Sequence, residues 1–138
     1  MDEITCRRLL SSAESAALAT IGESGPHLVP IVFVVRADTV YTAIDHKPKT
    51  TNRLQRLVNI EVNPTVALLV DHYVDDWDAL WWVRADGRAT ILTDGHGRQA
   101  GLDLLASKYA EYRRERPTGP VIAIESGSWS GWSAMPVA

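Results

Sequence analysis

The chain is poor in several things, and each shortage removes a class of function. Its 138 residues contain one cysteine, Cys6. One chain therefore cannot build a disulfide framework, and a reducing compartment fits. No apolar run approaches the ~20 residues of a membrane-spanning helix. The opening MDEITCRRLL places acids before its apolar residues, and no signal-type apolar run follows. The expectation is a soluble, cytoplasmic protein with no membrane partner. Positive charge is scarce as well: 14 Lys and Arg against 17 Asp and Glu leave a net charge of −3. That balance argues against a general electrostatic grip on nucleic acid, so any polyanion must meet a local patch. No G-x-G-x-x-G follows a strand, which excludes a Rossmann nicotinamide site. No G-x-S-x-G occurs, and GSWSG places its serines wrongly for a nucleophile elbow. His27, His46, His72 and His96 show no metal-ligand spacing, so no metal site is expected. If the chain is an enzyme, a cofactor supplies the reactivity.

What is present describes a globular chain. Apolar residues make up 46% and charged residues 22%, enough for a real core in one domain over residues 1–138. Residues 3–13 read as a short helix with Ile4, Leu9 and Leu10 as its apolar positions. Residues 15–21 read as a strand, and GESGPH is turn chemistry. Residues 27–35, HLVPIVFVV, are almost wholly apolar and read as a strand buried on both faces. Pro30 interrupts it and marks an edge, a bulge or an opening. After the turn RAD, residues 39–44 return as the second strand of a hairpin. A helix beginning near Pro48 follows, then a buried strand over 65–71 and the acidic loop HYVDDWDA. Residues 79–92 alternate through the Asp-Gly pair, which predicts one long strand bent or bulged at Gly87. A helix over about 96–113 carries the stripe Leu102, Leu105, Tyr109 and Tyr112. Residues 120–125 are the last strand, ahead of the tail SGSWSGWSAMPVA. About six strands with short connections and three helices predict a mainly β (α+β) fold, an antiparallel barrel with flanking helices.

Two features call for a function. The first is DHKPKTTNRLQRL, in which Lys47, Lys49, Arg53 and Arg56 crowd together. A solvated helix face is one reading. The other is an anion seat, because a helix start offers free N–H groups beside the lysines, Thr50 and Thr51. Lys49, Arg53 and Arg56 fall at i, i+4 and i+7 of the expected helix, and Arg56 is read as plain solvated surface. The second feature is tryptophan, with five in a small chain. One of Trp81 and Trp82 faces the core. Trp129 and Trp132 lie in a glycine-serine tail without periodicity, and would dock on the barrel, a partner subunit or a flat ring ligand.

Taken together, GPHLVPIVFVV, VYTAIDHKPKTTNRLQRLVNIEVNPTVALLV and DWDALWWVRADGRATIL resemble the pyridoxamine 5′-phosphate oxidase-like flavin and deazaflavin superfamily. The likeness is strongest to its coenzyme F420-dependent branch. It runs in order along nearly the whole chain. It implies a split β-barrel that forms a homodimer, with a cofactor in each of two clefts between subunits. Flavin members hold the cofactor phosphate with a serine-arginine-lysine trio after the YT strand. The matching positions here are Lys47, Pro48 and Lys49. Only the lysine at the third position is kept, and the lysine-rich pattern resembles the deazaflavin branch, with Arg53 a further contact for an acidic tail. By the same likeness, His27, Pro30 and Ile31 lie along the ring system, and Thr42 and Asp45 lie near the ribityl chain. Trp82, Arg88 and Trp132 would come across the dimer. The implied activity is hydride transfer from the deazaflavin C5 to an electron-poor small molecule, with no residue singled out as a proton donor. FMN chemistry on the same fold, or a non-catalytic F420 carrier, are the alternatives.

Overall fold

The computed structural model describes residues 1–44 and 54–137. The helix start expected at Pro48 lies outside the described residues, and so do Asp45, Lys47, Lys49 and Arg53. In chain order the elements are α1 (Glu3–Ser12), β1 (Ala16–Gly22), β2 (Gly25–Ile31), β3 (Val34–Arg36) and β4 (Thr39–Ala43). They continue with α2 (Gln55–Val62), β5 (Thr65–His72), a 3-10 turn at Trp77–Ala79, β6 (Trp81–Leu92), α3 (Gly95–Lys108), α4 (Ala110–Arg114) and β7 (Val121–Ser133).

The seven strands form one sheet in the order β2-β1-β5-β6-β7-β4-β3, and every neighbouring pair is antiparallel. The order explains the shape. β2 and β3 sit at opposite edges, yet only Val32 and Phe33 separate them in the chain. The three Cα–Cα steps from Ile31 to Val34 reach roughly 11 Å at most. The edges must therefore come together, so the sheet curls into a barrel that stays split at this point. The expected single strand over 27–35 is in fact two strands on either side of that split, which raises the count from about six to seven. Thr42 Oγ1 donates to the Val32 carbonyl at 2.8 Å, giving one break carbonyl a partner off the ladder.

The barrel interior is filled by alternate residues of the strands, among them Leu18, Val40, Leu68, Val83, Ile122 and Ile124, and by Phe33 from the break. Cys6, Leu9 and Leu10 of α1 and Leu57 and Ile60 of α2 join the same core. On the outer side of β4 and β7, α3 and α4 bury Leu102, Leu105, Ala106 and Tyr112 against Ala43 and Val121. Helix α1 is capped by Asp2, whose carboxylate accepts from the Thr5 amide at 2.8 Å.

Several expectations change. Ile4 is exposed, and the buried face of α1 is Cys6, Leu9 and Leu10. α2 starts at Gln55, after an extended Leu54 (φ −60°, ψ 140°), so no continuous helix joins Arg56 to the lysines. The helix expected over 96–113 is interrupted at Tyr109, whose φ of −115° and ψ of 123° are extended. β7 runs to Ser133 and absorbs most of the tail, which makes Trp129 a core residue 8% exposed. β6 is the single long strand expected. Its register against β7 shifts between Asp86 and Gly87, where Gly127 of β7 is passed over. A Cβ on Gly87 would lie 2.3 Å from the Glu125 carbonyl oxygen, so glycine alone fits that close approach. Finally, β2 and β5 are buried on one face only: Leu28 is 68% and Leu69 42% exposed.

Candidate functional site: a cleft at the split of the barrel

A cleft of ≈ 340 Å³ opens where the barrel is split. Pro30, Ile31 and Val32 at the end of β2, together with Ala43, give it an apolar wall. Ser15 and Thr42 bring hydroxyls, Tyr112 of α4 an aromatic ring, and Arg56 of α2 a guanidinium. Its volume lies at the lower end of the range for small-molecule sites, roughly 300–1,000 Å³.

The local sequence explains this arrangement. Pro30 has no N–H to give a neighbouring strand, which suits the end of an edge strand. The two break residues that follow cannot use the sheet ladder, so side chains serve them. The Phe33 amide donates to the Tyr109 hydroxyl at 3.1 Å. The Phe33 carbonyl accepts from Lys108 Nζ at 2.9 Å and lies 2.8 Å from the Tyr109 hydroxyl. Lys108 Nζ also donates to the Ala13 carbonyl at 2.7 Å and sits 4.3 Å above the Phe33 ring. Burial holds the Lys108 ammonium below its ordinary pKa of 10.5, opposed by the charge of Glu14. Burial likewise lifts the Tyr109 phenol above 10.0.

Of the residues singled out from sequence, Pro30, Ile31 and Thr42 are brought together in this cleft. Thr42 is 3% exposed. His27 is not among the cleft residues. It pairs with Thr20 further up β2, half-buried, and its Nδ1 is buried with no hydrogen-bond partner among the described residues. Arg56, read from the sequence as solvated surface, is half-buried with its Nε shielded from solvent, and it lines the cleft. The sequence signal was present, since Arg56 belongs to the basic run. Its spacing set it on one face with Lys49 and Arg53 in a helix expected to start near Pro48, whereas α2 starts at Gln55.

Trp82, Arg88 and Trp132 lie elsewhere. Trp82 and Trp132 are cross-strand neighbours on the outer face of β6 and β7, and the Arg84 guanidinium lies 6.0 Å from the Trp82 ring centroid. Arg88 is six positions along β6 from Trp82, roughly 20 Å, beside a second cleft with Thr65, Glu125 and Ser126. The outer face continues from Trp82 into an apolar groove with Ala17, Ala19, Leu28, Ala67 and Leu69. Nothing in the described chain covers it. Among the described residues no three His, Cys, Asp or Glu side chains converge to hold a metal ion, and no helix is long and apolar enough to cross a membrane.

The cleft's donor set fits a flavin-type cofactor. An apolar wall suits a ring system, hydroxyls suit a polyol chain, and a shielded guanidinium suits a phosphate. The chain is similar in fold to several solved structures. A conserved hypothetical protein from Mycobacterium tuberculosis is 22% identical, with 100% of this chain and 91% of that one covered and a TM-score of 0.77. A FAD-binding protein from Mesorhizobium loti is 20% identical, with 95% and 92% covered and a TM-score of 0.74. A heme storage protein from Vibrio cholerae is 15% identical, with 95% and 93% covered and a TM-score of 0.72. No curated protein matches the sequence. The family model for pyridoxamine 5′-phosphate oxidase matches residues 3–133, from the start of α1 to the end of β7, and the chain therefore belongs to that family.

Proposed function

We propose that the protein is a coenzyme F420-dependent oxidoreductase acting on a small molecule, as a homodimer. The observation that carries this reading is the cleft at the split, where Pro30, Ile31 and Thr42 meet the guanidinium of Arg56. Ala43 and Arg56 line the cleft from the two sides of residues 45–53 in the sequence. That connectivity supports Lys47 and Lys49 as further phosphate contacts, and Asp45 and Arg53 as neighbours of the ribityl chain and the acidic tail. When bound, reduced deazaflavin supplies a hydride; its ring carbon disfavours one-electron and oxygen chemistry. The protein's part is to bind, orient and exclude water. The apolar wall of Pro30, Ile31 and Val32 shields one side of the site. Arg56 and the lysines neutralise the anionic end. No side chain needs to act covalently.

The homodimer is supported by the uncovered apolar face around Leu28, Leu69, Trp82 and Trp132, since monomers rarely leave such a patch in water. On that reading Trp82 and Trp132 reach the partner's cleft, whereas Arg88 lies at the other end of its strand. A flavin is the second choice of cofactor: FMN is the alternative the sequence offers, and one protein of similar fold is described as FAD-binding. The heme storage relative shows that the fold also serves proteins named for storage, which keeps the carrier reading in play. Anaerobic assay of reduced F420 against a broad panel of electron-poor acceptors separates enzyme from carrier. Turnover well above the cofactor's own background rate is expected. Tight binding of F420 without turnover of any acceptor would identify a carrier instead.

A further inference from the structure

We propose that Lys108 and Tyr109 are positioning residues for the cofactor, locking the two-residue split of the barrel so that the cleft keeps one shape. This rests on reading the cleft as a cofactor site. Lys108 is the last residue of α3, and Tyr109 is the extended residue between α3 and α4. Their polar ends meet at Phe33, the second residue of the split. The Tyr109 hydroxyl oxygen accepts a hydrogen bond from the Phe33 amide, and it lies 2.8 Å from both the Phe33 and Glu14 carbonyl oxygens. Its single proton serves one of those oxygens at a time. The Lys108 ammonium donates to Phe33 and Ala13, with the Ser11 carbonyl at 3.4 Å.

Two stretches of backbone are thereby tied to one point. The first is the link between α1 and β1, which runs directly into Ser15, a residue of the cleft. The second is the split itself, directly after Pro30, Ile31 and Val32. Tyr112, three residues beyond Tyr109, lines the same cleft. Three parts of the lining therefore hang on two adjacent side chains. Packing alone does not call for a lysine here. The ammonium is half-buried against the Phe33 and Tyr109 rings, 4.3 and 5.3 Å from their centroids. A buried charge is expensive unless its protons are all used. In this place they serve backbone carbonyls that the ladder leaves over.

The test uses the full chain, with F420 and its phosphate-free deazaflavin alcohol as ligands. Binding is followed by fluorescence and backbone amide exchange by mass spectrometry. Lys108→Met and Tyr109→Phe are each expected to weaken both ligands by the same factor, about tenfold. Arg56→Ala is expected to weaken F420 alone. Lys108→Arg, which keeps a charged donor, should recover most of the affinity. In cofactor-free Lys108→Met, amides around Phe33 should exchange faster while those of β6 and β7 stay as slow as in the parent. Unchanged affinity for both ligands in the Met and Phe variants would overturn the inference. So would faster exchange throughout β6 and β7, because the pair would then be holding the whole fold. A parent protein that binds neither ligand refutes the cofactor reading itself, and the inference falls with it.

Discussion

Arg56 stands in the first turn of α2 with its Nε shielded from solvent and its side chain on the cleft. A charge-assisted contact from such a group to a phosphate is worth about 1.5–3 kcal/mol. Arg56→Ala should therefore weaken a phosphate-bearing cofactor by roughly that amount, and Lys49→Ala should weaken it too. Calorimetric titration of both variants checks this. Unchanged affinity in both would return the basic run to a solvated face. The concentration of charge was legible from spacing alone. Arg56 meets the cleft from an α2 that begins at Gln55, and the extended backbone at Leu54 has no strong signature in the sequence. Pro30, by contrast, was partly legible: a proline in an apolar strand marks an edge, a bulge or an opening, and Pro30 stands near the end of edge strand β2, just before the split.

At the scale of elements, alternation and turn residues were sufficient for most of the sheet. The Glu23–Ser24 turn, the long β6 and its irregularity near Gly87 follow from pattern. The tail did not, because SGSWSGWS carries no apolar period. Its small residues let β7 run close to its neighbours: a Cβ on Gly131 would sit 2.8 Å from the Trp82 carbonyl oxygen. Only Trp129 then faces the core. Helix α1 offers a test by pH. The Thr5 side chain and amide hold the Asp2 carboxyl below its ordinary 3.8. A folded-state pKa below the unfolded one gives stability that is fully present above 3.8 and lost as pH falls through the lower folded value. Denaturant unfolding of the parent and Asp2→Ala should show a constant gap at pH values above 3.8, and a gap that shrinks in acid. A gap independent of pH would mean that the carboxylate charge plays no part in the cap.

For the whole molecule, the curled sheet leaves one apolar face bare. β2 and β5 read as doubly buried strands because their outer residues, Leu28, Ala67 and Leu69, are as apolar as their inner ones. One chain buries only the inner set. On the homodimer proposed above, the excess of apolar residues belongs to the interface between subunits, whereas the sequence pattern assigned it to one chain's own core. Leu69→Glu places a charge in the centre of this face and should convert a dimer to monomer, read by sedimentation, with little effect on the monomer's own fold. A parent protein that sediments as a monomer at all concentrations would remove the homodimer from the account. The most direct test of the central claim is a fluorescence titration of the purified protein with F420 and, separately, with FMN. Saturable binding of one F420 per chain, tighter than FMN, is the expected result. Tight FMN binding with no F420 binding would contradict the deazaflavin assignment, and binding of neither would contradict a cofactor site at the split.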